Sequence, residues 1–124
     1  MVEASRMKAV IDRLMRAGSA TEFLEQSDWL NGCSPEVLEE HYARFSEKFA
    51  RLLQPVTNEL GDPNFSTPRD QEWFKNWYPE AYVAAAWELD SGWLCLAAEH
   101  QDDELPIGLV LRSLTVQERE ELAE

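Results

Sequence analysis

Residues 99–106 read EHQDDELP, so four carboxylates and one of the chain's two histidines fall within eight positions, directly between two apolar runs. Three chemistries use such residues: metal coordination, acid/base catalysis by paired carboxylates, and a negatively charged grip on a basic partner. A zinc site needs three or four converging ligands. The candidates are His41, His100, Cys33, Cys95 and scattered carboxylates, in neither HExxH nor CxxC spacing, so neither a metal nor another cofactor is expected. Asp102, Asp103 and Glu104 are adjacent, and consecutive side chains in a turn diverge rather than face each other across a substrate. The chain also has no Gly-rich phosphate loop, no GxSxG elbow and no cysteine with a base beside it. No catalytic residue is expected, which leaves the grip on a partner.

Charge favours that reading. The 124 residues carry 11 Lys and Arg against 24 Asp and Glu, a net charge of −13. Such a field repels phosphate backbones and anionic membrane surfaces and attracts a basic protein. The acidity is uneven: residues 1–60 hold 7 basic and 10 acidic side chains, residues 61–124 hold 4 and 14. Aromatic anchors of an interface are available nearby, because Trp73, Trp77, Tyr78, Trp87 and Trp93 crowd into 21 positions. Trp87, on an alternating strand, reads as core. Trp73, Trp77 and Trp93 flank connectors, and with Glu99, His100, Asp102, Asp103 and Glu104 they form the expected partner-binding set. Glu36, Glu39 and Glu40, on a helix near the N-terminal half's centre, are expected to matter less to such a partner.

The elements that must position these residues follow from periodicity. Met7, Val10, Ile11, Leu14 and Met15 recur at helical spacing up to Gly18. Ser19 and Glu22 fit a capping box, which predicts a short second helix over 19–32 carrying Phe23, Leu24 and Leu30. Ser34-Pro35 opens the strongest helix, with Leu38, Tyr42, Phe45, Phe49, Leu52 and Val56 on one face, Pro55 bending or dividing it, and Leu60-Gly61 as its end. Residues 61–69 read as a connector, and 70–78 as a short helical turn presenting Trp73, Trp77 and Tyr78. Beyond Pro79, AYVAAAWEL, WLCLAAE and IGLVLRS predict three consecutive antiparallel strands, and Thr115 with Glu118 a short C-terminal helix. The fold class expected is therefore α+β: N-terminal helices packed on a C-terminal three-stranded antiparallel meander. One domain spans 1–124, with its helical part about 1–60 and its sheet part about 80–114.

Cys33 and Cys95 are 62 positions apart and imply no disulfide framework. The N-terminus lacks the apolar stretch of a signal peptide, and the longest uncharged run, 91–98, is too short to span a bilayer, so a cytoplasmic location without membrane contact is expected.

The C-terminal third, WELDSGWLCLAAEHQDDELPIGLVLRSL, resembles a pattern of small acidic bacterial immunity proteins from polymorphic-toxin and contact-dependent inhibition systems. There a tryptophan-bearing strand pair is followed by a His-x-Asp-x-Glu-Leu-Pro-like turn and an apolar strand. The matching residues are Trp87, Trp93, His100, Asp102, Glu104, Leu105 and Pro106. The resemblance implies a non-enzymatic antidote that binds and neutralises a cognate basic toxin domain, a nuclease being one such target. Two other readings stay open: a small intracellular enzyme or ligand-binding domain, and an inhibitor that mimics nucleic acid. Oligomeric state is not legible.

Overall fold

The structure, a computed structural model, describes residues 2–17, 20–27, 34–67, 69–78, 80–90, 92–100 and 107–115. Eight elements follow in order: α1 (Val2–Ala17), β1 (Ala20–Gln26), α2 (Pro35–Leu60), β2 (Phe65–Ser66), α3 (Gln71–Trp77), β3 (Ala81–Leu89), β4 (Gly92–Glu99) and β5 (Gly108–Thr115). The strands form one five-stranded sheet in the order β1-β5-β4-β3-β2, with every neighbouring pair antiparallel. The architecture is α+β, and the expected three-stranded meander under N-terminal helices is corrected to this larger sheet, in which β1 and β2 form the two edges.

β1 accounts for most of that difference. The expected helix over 19–32 does not form: Ala20–Gln26 is a strand whose burial alternates along its length. Phe23-Leu24 alone fits either period, and a seven-residue segment has little helix stability of its own to set against pairing with the open side of β5. A register shift between Phe23 and Glu25 turns both Leu24 and Glu25 toward the helices. Glu22 there pairs with Arg13 of α1 and Glu25 with Lys48 of α2. Because β1 comes from the first 60 residues and lies beside β5, the division into a helical half and a sheet half does not hold.

α2 behaves as its sequence requires. The Ser34 hydroxyl accepts the Val37 N–H at 3.4 Å, Pro35 occupies the first turn, and Glu36 lies where the helix dipole favours negative charge. The helix continues through Pro55 and stops at Gly61, whose φ of 85° favours glycine and whose N–H donates to the Thr57 carbonyl.

Two layers of side chains cover the sheet. On one face, α1 and α2 bury Met7, Ile11, Leu14, Phe45, Phe49 and Val56 against Trp87, Leu94, Leu96, Leu109 and Leu111. The Trp87 indole N–H donates to the Gly61 carbonyl at 2.8 Å, which satisfies its polar atom within that core. On the other face the sheet presents mostly small side chains, Ala84, Ala86, Cys95 and Ala97, and α3 lays Phe74 and Tyr78 on them. With both faces covered, all eight residues of β4 are buried.

The β3 edge is closed by a short piece of chain that the sequence reads as a connector. Asn64 and Thr67 donate their N–H groups to the carbonyls of Ala86 and Ala84. Their side chains in turn accept the N–H groups of Glu88 and Ala84. The expected C-terminal helix falls on residues 116–124, outside the described residues, and Thr115 itself closes β5.

Candidate partner-binding site

β4 ends at Glu99, and Glu99 and the following His100 send their side chains to opposite faces of the sheet. Glu99 shares its face with Trp93, Cys95 and Ala97, and it is only 4% exposed. The Tyr78 hydroxyl, from the end of α3, donates to Glu99 Oε2, and Arg112 Nη2 of β5 approaches the same oxygen at 3.5 Å. The Arg112 guanidinium also lies 4.9 Å from the centre of the Tyr78 ring. Burial, then the hydrogen bond to Glu99, pushes the Tyr78 hydroxyl well above the usual tyrosine range. Arg112 Nε is buried with no acceptor among the described residues.

His100 is half-buried beneath α2. Its Nδ1 shares a 2.5 Å hydrogen bond with the Tyr42 hydroxyl, and its N–H donates to the Glu80 carbonyl. Tyr42 meets Tyr82 of β3 edge to face, with ring centres 4.8 Å apart. Burial pushes the Tyr82 hydroxyl above its ordinary range as well. On the far side of residues 101–106, Ile107 is fixed to the end of β1: Ser27 N–H donates to its carbonyl, and its N–H donates to Ser27 Oγ. One end of the sheet thus gathers the start of α2, the starts of β3 and β5, and the ends of β1 and β4.

The expected partner-binding residues do not all meet there. Asp102, Asp103 and Glu104 lie outside the described residues, between the anchors His100 and Ile107. Glu99 was expected on a partner surface, but its carboxylate is buried and engaged from within. Trp93 is 7% exposed, and Trp73 stacks on Phe65 with ring centres 3.9 Å apart and planes within 9°. Trp93 completes that group at 5.4 Å from Trp73. These two tryptophans build the small-residue face and sit near the start of β4, six residues and roughly 20 Å of strand from Glu99. Trp77 is the last residue of α3, and its side chain is outside the described set.

The carboxylates expected to matter less prove to be near neighbours of that end. Glu36, Glu39 and Glu40 are exposed on the first turns of α2, and Tyr42, two residues on, is bonded to His100. Exposed Glu80 precedes β3 at the same end. Carboxylates some forty positions apart in sequence therefore share one end of the molecule.

Sequence reasoning missed Arg112, and it placed Tyr42 on a helix face and Tyr78 among the clustered aromatics without their polar partners His100 and Glu99. A signal existed for Arg112: it is the lone cation in an apolar strand and pairs in register with Cys95, on the parity that also carries Glu99. Among the described residues, no group of three or more His, Cys, Asp or Glu could hold a metal ion, and no helix is long and apolar enough to cross a membrane. Compared with known protein families, with characterised proteins and with solved structures, the chain matches none.

Proposed function

We propose that the chain is a non-enzymatic inhibitor or immunity protein that acts in the cytoplasm on a basic protein domain, engaging it through the acidic end of the sheet. The observation that carries this reading is the convergence of exposed Glu36, Glu39, Glu40 and Glu80 on the end from which residues 101–106 leave and return. The Tyr42–His100 bond and the Ser27–Ile107 pair of bonds fasten that end to α2 and β1, so the charges are carried on a fixed frame. Net charge of −13 steers a basic partner toward such a surface and speeds association, and fixed anchors limit the ordering cost of the complex. A basic nuclease domain is one suitable partner, with carboxylates occupying the place of substrate phosphates.

The test is co-expression with the product of the neighbouring upstream gene. The reading expects that product to be toxic alone, harmless in the presence of this chain, and joined to it in a stable complex. Reversing Glu36, Glu39 and Glu40 to Lys should slow association, most strongly at low ionic strength, because charges beyond a Debye length of about 8 Å are screened at physiological salt. Association rates that ignore both the reversal and the salt would remove the acidic end from the interface.

A further inference from the structure

Between α1, α2 and β1 the helical face is incompletely filled, leaving a cavity of about 180 Å³. Its apolar lining is Met7, Leu24, Leu52 and Leu109, drawn from four different elements. An enclosed apolar void of about 150 Å³ accepts one benzene molecule; this space has a similar volume but is open to solvent at a charged mouth. The space is thus large enough for one ring or a short alkyl chain.

Its charged lining comes from Lys48 and Arg51 of α2 and Glu25 of β1. Lys48 is held in place, since its ammonium pairs with Glu25 and lies 5.1 Å from the centre of the Phe45 ring. Among the described residues Arg51 is held by Glu47, one turn earlier on the same helix, with both side chains largely exposed. An exposed pair of that kind breaks at little cost, so the guanidinium can turn toward the cavity mouth. Lys48 is matched by Glu25 and Arg51 by Glu47, so a carboxylate that displaces Glu47 from Arg51 leaves the mouth, counted as Lys48, Arg51 and Glu25, one positive charge to match. A monoanion matches that charge, whereas a phosphate dianion meets stronger repulsion from Glu25.

We infer that this cavity binds a small organic acid, its apolar body against Met7, Leu24, Leu52 and Leu109 and its single carboxylate held by Arg51 and Lys48. The inference rests on no part of the partner-binding reading. The same chemistry, an apolar body joined to a carboxylate, is also offered by the free C-terminus of a peptide ending in leucine.

Methyl and amide NMR titrations of the full chain separate these cases. Hexanoate and benzoate are the probes, hexanol and benzyl alcohol the neutral controls, and a short peptide ending in leucine, with its C-terminal amide, the second source. Saturable shifts centred on Leu24, Leu52 and Leu109 are expected with the acids, at about tenfold higher affinity than with the alcohols. Arg51→Gln should bring the acids down to the alcohols' affinity. Leu52→Trp, which fills the void, should abolish binding while circular dichroism shows the fold intact; Leu24→Phe serves the same end if that variant does not fold. Peptide binding tighter than hexanoate, and lost in the amide, would assign the ligand to a protein terminus. Absence of saturable shifts at millimolar acid, equal affinity for acid and alcohol, or shifts that persist in the filled variant would overturn the inference.

Discussion

The two faces of the sheet are built on different principles. The face under α1 and α2 is lined by large aliphatic and aromatic side chains, and two buried polar groups on it, the Trp87 indole N–H and the Ser113 hydroxyl, donate to the backbone carbonyls of Gly61 and Leu14. The face under α3 has small residues on the sheet, a seven-residue helix above them, and a Tyr78–Glu99–Arg112 group at its edge. Burial of apolar area is non-directional and dominates stability. Ion pairs and hydrogen bonds at low dielectric add little net energy but are costly to leave half-made. The first face should therefore carry most of the stability, and the second should fix how α3 and the end of β4 sit.

The largest effect expected is on the helical face. Phe45 is 2% exposed at the centre of α2, so Phe45→Ala should cost about 3–5 kcal/mol through lost transfer energy and a residual cavity. Urea unfolding monitored by circular dichroism measures this. A cost below about 1 kcal/mol, at the low end of large-to-small core substitutions, would mean that α2 is not the main lid of the core.

On the α3 face two substitutions probe packing and polarity separately. Ala97 is fully buried between β3 and β5, and Ala97→Leu should cost about 1–3 kcal/mol by pushing α3 outward, with a change in tryptophan fluorescence from the Trp73–Trp93 group. Tyr78→Phe keeps the ring and removes the hydroxyl, leaving Glu99 without its closest donor, at about 1–3 kcal/mol. Adding Glu99→Leu to Tyr78→Phe should recover part of that loss. The buried carboxylate of this group is then gone, and the partly exposed Arg112 can turn to water. Strictly additive losses would show that the three side chains do not act as a group.

How much of this was legible in sequence differs by element. The Ser34-Pro35 start, the Leu38–Phe45–Leu52 stripe and the Gly61 stop are local signals, and α2 follows them. β1 was not legible, because its capping-box pattern is local while the decision for strand comes from β5, some 90 residues later. β2 is two residues long and owes its place to Asn64 and Thr67 capping the β3 edge, which no periodicity reports. At the candidate site, the carboxylates were visible as residues, but their grouping was not. The packing of α2 on the sheet, with Tyr42 against Tyr82 and bonded to His100, brings the α2 glutamates to the end of β4, and the register of β5 puts Arg112 beside Glu99.

Alkaline pH should sharpen the contrast between the faces through one buried thiol. Burial among alanines and beneath α3 pushes Cys95 up to about 12, from an ordinary value of 9.0. The folded state thus holds the proton more tightly than the unfolded chain. The stability this represents is fully present below pH 9 and is lost as pH rises from there toward about 12. Tyr78, on the same face, changes stability in the same direction at higher pH. Cys95→Ala should flatten the first part of the decline, and native Cys95 should resist alkylation at pH 8. An unchanged slope in the variant, or rapid alkylation of the native protein at Cys95, would place the thiol outside the core.

The smallest effect lies at the rim of the α3 face, where Asp70 ties β2 to the start of α3. One of its carboxylate oxygens accepts the Ser66 N–H at 2.9 Å and the Arg69 Nε–H at 2.8 Å. The backbone bond first, then the arginine, holds the carboxyl below its ordinary value of 3.8. A lowered value means that the folded state favours the charged form, so its contribution is present above pH 3.8 and fades as pH falls through the lower, folded value. A carboxyl-detected NMR titration should find Asp70 titrating below its ordinary value of 3.8. Asp70→Asn keeps one acceptor oxygen for Ser66 but loses the charge opposite Arg69. It should weaken the acid-side dependence without displacing α3, whereas Asp70→Ala should also free the Ser66 N–H and loosen β2 from the edge of β3. Equal responses from the two variants would assign the effect to charge alone and leave the turn to be held by Asn64 and Thr67.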